Sequence, residues 1–353
     1  MRTGSKWLGA AGLFATASLL VASASLATGF WQSQDVAISG DRVAVHNLVG
    51  EIQVVRGSGS DVRVAIKFGG ADAERLDVQV SRIDGVETFR VIYPDGDIVY
   101  PRMGKGESQI RVQDDGRIFG DGGRQVKIKG SGSGTEAWAN LTISVPAGKT
   151  LGVHNGVGAL AATDIQGDLF LDTGSGAVTA QGIRGELSVD TGSGAVDVRD
   201  VAGLLSVDTG SGAVSVQGAE GPAIVIDTGS GHVGGSNLTA EELFVDTGSG
   251  RVELAGVRSQ DIMIDTGSGG VTLELLSDVR GLVIDTGSGR VDLAIPDNLG
   301  AKIEIETGSG RIDFDFPITV SKAERSYVVG QIGDGAGEIQ IETGSGGVRV
   351  RKR

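Results

Sequence analysis

The sequence predicts an all-β chain: a parallel β-helix (β-solenoid) with coils of 18 to 21 residues, and an N-terminal β region that continues or caps the stack. Three observations carry this expectation. Asp-Thr-Gly-Ser-Gly recurs from Asp172, Asp190, Asp208, Asp227, Asp246, Asp265 and Asp285, followed by Glu-led copies from Glu306 and Glu342. The steps are 18, 18, 19, 19, 19, 20, 21 and 36 residues, and a fixed period of this length marks a stacked repeat array. Each copy is flanked by short strands that alternate apolar and polar residues, such as Leu187-Ser188-Val189 before the turn and Val196-Asp197-Val198 after it. That alternation sends the aliphatic residues to one face and the polar ones to the other. Aromatic residues make up only 4% of the chain, which suits a narrow aliphatic interior.

Taken in order, residues 1–24 read as a secretory signal. Arg2 and Lys6 precede an apolar stretch from Trp7 to Val21, and Ala22-Ser23-Ala24 offers a small-residue cleavage site. The apolar stretch is short for an uncleaved anchor, so no membrane span is expected after cleavage. Residues 25–40 form a linker. The N-terminal β region, 41–150, opens with Val43-Ala44-Val45-His46-Asn47-Leu48-Val49-Gly50 and then alternates over 61–93. Residues 94–136 are rich in Gly, Asp and charge, the composition of hairpins and long loops. The repeat array spans 151–350. It starts with Leu151-Gly152-Val153-His154-Asn155-Gly156, in which His-Asn replaces Asp-Thr 18 residues before Asp172. Terminal repeats diverge because one of their faces has no neighbour. The 36-residue step is expected to hold a degenerate coil plus an excursion around Phe316-Pro317. Arg349 and the basic tail 351–353 read as a solvated edge that discourages end-to-end pairing.

Within each repeat, the Gly-Ser-Gly is expected to supply positive φ for a sharp bend. Parallel stacking aligns the leading carboxylates into a column, where two unit charges about 5 Å apart repel by roughly 1 kcal/mol in water. Capping of turn N–H groups by the short Asp side chain is the preferred relief; splaying into solvent and shared cations are the alternatives. The nine-residue calcium repeat, Gly-Gly-x-Gly-x-Asp, is absent. No cofactor is expected. His46 and His154 lie 108 residues apart, and a single His in each turn reads as a capping group rather than a metal ligand.

Asp-Thr-Gly-Ser after two apolar residues is also how the catalytic loop of an aspartic protease reads. That chemistry needs two loops facing each other so that two carboxylates share a proton, whereas these copies should line one edge. No catalytic residue is assigned, and the chain is expected not to be an enzyme. There is no cysteine, so neither disulfides nor a lipid-modified thiol hold the protein. The formal charge of −14, more negative still once Arg2 and Lys6 leave, argues against nucleic acid as a partner.

One outward position suggests a working surface. The middle residue of the pre-turn strand is polar at Ser188, Ser206, Glu304 and Gln340, but apolar at Phe170, Val225, Phe244, Met263 and Val283. Such a stripe either packs beneath another segment or binds a partner, and the N-terminal region is its expected cover.

The runs Val-His-Asn-Leu-Val-Gly-Glu-Ile-Gln-Val at 45–54 and Ile-Ser-Val-Pro-Ala-Gly-Lys-Thr-Leu at 143–151, with the Gly-Ser-Gly coils that follow, resemble the bacterial DUF4097 family of candidate adhesins. The resemblance implies a β-helical exported protein of the periplasm, cell surface or medium, with adhesion as the suggested role and a protein or glycan surface as ligand. An envelope-stress or regulatory accessory protein is the first alternative, marked by sensor or sigma-factor genes nearby. A carbohydrate-active solenoid enzyme is the second. It needs clustered carboxylates in an aromatic-lined groove, and the low aromatic content speaks against it.

Overall fold

The computed structural model describes residues 33–120 and 122–353. The leader at 1–24 and the first half of the 25–40 linker lie outside the described residues, and the second half holds the strand Ser33–Ile38. The described chain is all-β, with two short 3-10 turns and no α-helix. No helix among the described residues is long and apolar enough to cross a membrane.

The alternating strands bury the expected face. Leu187 and Val189 are 0% and 1% exposed, while Ser188 between them is partly exposed. Successive repeats pair in parallel and in register: Asp172, Asp190, Asp208, Asp227, Asp246, Asp265 and Asp285 are partners in that order. The post-turn strands follow the same rule through Val178, Val196, Val214, Val233, Val252, Val271 and Val291. Two stacks of parallel strands therefore face a shared core of Val, Ile and Leu. After the post-turn strand the chain bends through one left-handed residue per repeat. Asp164, Gly182, Asp200, Gly218, Asn237 and Gly256 occupy this corner with φ between 54° and 70°. Only Gly, Asn and Asp adopt that conformation readily. Their alternation also has a packing cause, since the Asp200 carboxylate sits over Gly218, where a Cβ would come within 3.1 Å of it.

Threonine, not aspartate, holds the tight turn. Thr228, Thr247, Thr266 and Thr286 are fully buried. The Thr247 hydroxyl accepts from the Gly250 N–H at 3.1 Å and donates to the Gly231 carbonyl of the preceding repeat at 3.2 Å. Thr228, Thr266 and Thr286 make the same pair of bonds. In the earlier copies Thr173 and Thr191 leave their hydroxyls without a partner, and there Gly176 and Gly194 adopt φ of 158° and 155°. Beyond those two copies the glycines of the motif are not at positive φ, which corrects the expected reason for glycine. They are required by close approach instead: a Cβ on Gly250 would be driven into the Gly231 carbonyl oxygen.

Both ends of the stack depart from simple succession. At the N-terminal end, Arg42–Val49 and Ile52–Arg56 form one more rung, pairing in parallel with Lys149–Val157 and Leu160–Thr163. Antiparallel strands then close it, with Asp77–Ile83 against Val86–Ile92 and Ser33–Ile38 against Val62–Gly69. Residues 94–136 are not merely hairpins and loops. They include a separate four-stranded sheet with Ile98, Val126 and Ile128 in its core. At the C-terminal end the order of repeats is permuted. Gly337–Thr343 inserts between Gly281–Thr286 and Ala301–Thr307, so Glu342 lies between Asp285 and Glu306. Val348–Lys352 likewise inserts between Val291–Ile295 and Ile312–Phe314. The 36-residue step is thus an outermost coil plus a hairpin, Thr319–Ala323 with Tyr327–Ile332, that folds antiparallel onto Ala301–Thr307. The basic end is correspondingly an inner strand and not an edge. The edges at this end are Ile312–Phe314, only three residues long, and Thr319–Ala323, which is short, bulged and carries Lys322, features that discourage strand addition.

Thr247→Val preserves volume but strands the Gly250 N–H and the Gly231 carbonyl. The expected cost is about 1–3 kcal/mol, read as a lower Tm than Thr247→Ser, which keeps the hydroxyl. Equal melting temperatures for the two variants would remove the hydroxyl ladder from the account of stability.

Candidate functional site

The outward face of the pre-turn stack carries two parallel columns. One is the acidic series from Asp172 to Asp285, continued by Glu342 and Glu306. Two residues back along each strand runs the second column: Phe170, Ser188, Ser206, Val225, Phe244, Met263, Val283, Gln340 and Glu304. Val225, Phe244, Met263 and Val283 occupy four adjacent rungs, and Phe170 stands apart behind two serines. Met263 and Val283 are 46% and 38% exposed, so the described N-terminal region does not cover that end of the stripe. Its own strands lie at the opposite end of the stack. Phe170, Val225 and Phe244 are half-buried.

The acidic column is aligned as expected, but its carboxylates do not cap the turns. Among the described residues only Asp172 of this column has a hydrogen-bonded side-chain partner that is a titratable ring, His154 Nδ1 at 3.1 Å. At the far end Glu304, in the neighbouring column, accepts from the Tyr327 hydroxyl at 2.7 Å. The Asp side chain projects outward because it alternates with the buried Thr, which leaves the turn N–H groups to the hydroxyl. Burial, and then the charges of the rungs on either side, raise the carboxyl pKa values of Asp190, Asp227 and Asp265. The Asp-Thr-Gly loops stack along one edge in register, and no two of them face each other across a cleft.

At the N-terminal end, folding closes the 108-residue separation of the two histidines. His46 and His154 are partners on adjacent strands, with rings stacked at 4.4 Å and 10° between planes. His46 is buried, and the Ile118 N–H from the 94–136 segment donates to its Nδ1 at 3.4 Å. Desolvation, assisted by His154, Arg117 and Arg90, pushes its pKa down to about 2. The asparagines that follow take the inward slot of threonine. Asn155 donates to the carbonyls of Gly50 and Gly158, and Asn47 donates to Ala139 and to Asn155. The His-Asn pair is therefore the N-terminal form of Asp-Thr, an imidazole ring on the outward side of the strand and an amide inside. Only the matched spacing of the two His-Asn runs hints at this in the sequence. Among the described residues no three His, Asp or Glu side chains are gathered to hold a metal ion.

A family model described as Toastrack DUF4097 matches residues 109–351. The chain belongs to the DUF4097 family. The DUF4097 match takes in the whole run of Asp-Thr-Gly-Ser-Gly repeats and the inserted final strand, and starts after the rung that carries His46. No curated protein matches the sequence. Among solved structures, a candidate cell adhesion protein from Clostridium sporogenes aligns over 92% of this chain and 100% of its own, at 11% identity and a TM-score of 0.20. A likeness at that score carries no weight for fold or function.

The buried His46 has a consequence for acid stability. Its folded pKa lies below the unfolded value of 6.5, so the unfolded chain binds the extra proton and stability falls as pH drops below 6.5. Asp190, Asp227 and Asp265 have the opposite sign, since raised folded values favour the folded state as pH falls. His46→Asn is expected to flatten the decline in Tm between pH 6.5 and 4.5 relative to wild type, the aspartates being common to both. Parallel Tm curves would show that His46 is not the acid-sensitive group.

Proposed function

We propose that this DUF4097 chain is an exported, non-enzymatic β-solenoid of the cell envelope, and that it binds a protein partner through the face where the apolar stripe and acidic column run side by side. In-register parallel pairing of the repeats supports the solenoid reading, and the signal-like residues 1–24 support export. The observation that carries the binding role is the run Val225, Phe244, Met263 and Val283, partly or largely exposed and bordered rung by rung by Asp227, Asp246, Asp265 and Asp285.

Contiguous exposed apolar surface on a soluble protein marks an interaction site. The flanking charges select among partners: an apolar surface edged with Lys or Arg gains from both columns, and one edged with Asp or Glu is repelled. The geometry favours a helix. The rungs repeat at about 4.8 Å, and an α-helix laid along them offers one apolar position per 5.4 Å turn. Over three intervals the two drift apart by only about 2 Å. The partner is accordingly a basic amphipathic segment presented by another protein.

The test uses the full chain and two labelled amphipathic peptides of equal length, one Leu/Lys and the other Leu/Glu, read by fluorescence anisotropy. The Leu/Lys peptide is expected to bind, with affinity that falls as salt rises. Met263→Ser with Val283→Ser is expected to weaken it about tenfold while changing stability by no more than about 0.5 kcal/mol, as for exposed positions generally. Equal binding of the two peptides, or binding indifferent to the double variant, would overturn the assignment of this face.

A further inference from the structure

Insertion of the final strand builds a second surface on the other sheet, independent of the apolar stripe. Val348 pairs with Val291 on one side and Ile312 on the other. The residues just before them, Arg290, Gly347 and Arg311, therefore form one outward row, with the glycine in the middle. At about 4.8 Å per strand, the two arginine backbones stand roughly 10 Å apart across a position that has no side chain. Two residues on, the next outward row reads Asp292, Arg349, Asp313. A cavity of about 610 Å³ opens over these rows, with Phe314 along its apolar side.

The charges in this cavity are arranged unevenly. Arg349 lies between Asp292 and Asp313 in register, so its row carries two carboxylates beside one guanidinium. Asp315, also at the rim, accepts from the Lys352 N–H at 3.1 Å. Arg290 and Arg311 have no such neighbour in their row. Among the described residues neither they nor Arg349 enter an ion pair, unlike Arg280 and Arg353. On a chain of net charge −14, two exposed arginines flank a position that has no side chain and that carries no carboxylate in their row. Each presents a planar fork that suits a carboxylate or phosphate oxygen pair.

We infer that the cavity over Gly347 binds an acidic sugar unit of a glycan. Its carboxylate sits between Arg290 and Arg311, and its hydroxyl groups meet the Asp313 acceptor and the Arg349 donor. The mixed lining favours a sugar over a bare anion. Asp313 repels a free oxyanion, but it accepts from a hydroxyl that the same ligand carries. A neutral sugar lacks the group that would draw on the two arginines.

The experiment is isothermal titration calorimetry on the full chain with tetragalacturonate, a neutral tetrasaccharide of similar size such as cellotetraose, and inorganic phosphate. Tetragalacturonate is expected to bind weakly and with affinity that falls as salt rises, and cellotetraose not at all. Arg290→Gln with Arg311→Gln, both exposed, is expected to reduce tetragalacturonate binding at least about tenfold. Asp313→Asn is expected to leave phosphate unaffected or improved and to weaken the sugar. Absence of tetragalacturonate binding, unchanged binding in the double variant, or phosphate binding as tight as the sugar would each overturn the inference. Retention of the wild-type Tm in the double variant separates a lost site from a lost fold.

Discussion

Stacking in register places every residue on its counterpart in the next repeat about 4.8 Å away, and each position must be tolerable as a column. Aliphatic side chains meet this requirement easily, because Val on Val and Ile on Ile exclude water and fill the gap between rungs. The turn meets it through a hydroxyl that both donates and accepts. Thr247 passes a hydrogen bond from its own turn to the one before it, which no carboxylate could do. Glycine meets it by absence, since the carbonyl of Gly231 occupies the space a side chain on Gly250 would need. The left-handed corner meets it by alternation, with Asp or Asn on one rung and Gly on the next.

A column cannot continue for ever, and its ends explain the irregular parts of the chain. A parallel stack cut short would expose a full row of backbone donors and acceptors. Here antiparallel strands from local hairpins finish both ends of the pre-turn stack, because a hairpin supplies a partner strand without another full coil. Closing the C-terminal end with residues 301–332 leaves the chain one repeat from its finish. The remaining repeat enters between two rungs already in place. Its own Glu-Thr-Gly-Ser-Gly fits there because the slot is identical to every other: Thr343 donates to the Gly289 carbonyl at 3.1 Å, as Thr286 does to Gly269.

This interchangeability also sets what could be read beforehand. Period, alternation and parallel register are local or repeated facts, and Leu187, Val189 and Val196 announce them. Repeat order is neither. A 36-residue step equals two coils whether the chain proceeds or doubles back, and nothing in residues 306–342 distinguishes the two. Turn chemistry was misread for a different reason. Asp and Thr are neighbours, both can cap a turn, and only the inward direction of Thr decides between them. The stacked pair His46 and His154 was hidden by sequence distance, although the repeated Val-His-Asn layout was visible. The arginine notch at 290, 311 and 349 depends on the inserted strand, so no reading of successive coils could assemble it.

The acidic column is the one column that does not favour itself. Each neighbouring pair costs about 1 kcal/mol even at the dielectric of water, and burial, with those charges added to it, raises the carboxyl pKa values of Asp190, Asp227 and Asp265. Stability alone would prefer asparagine, whose amides form favourable ladders when stacked at this spacing. The N-terminal rungs show that neutral residues fit there, since His46 and His154 occupy the same column. On the proposed binding role, seven aspartates and two glutamates in this place serve partner selection at some cost to the fold. Beside an exposed stripe of Val225, Phe244, Met263 and Val283, the charge has a direct physical effect. It keeps two such stripes from pressing together, because the columns would then meet as well, while leaving the face open to a surface of opposite sign. Specificity by repulsion of this kind lowers stability to exclude a competitor, and on the proposed reading of this face the competitor excluded first is a second copy of the same chain.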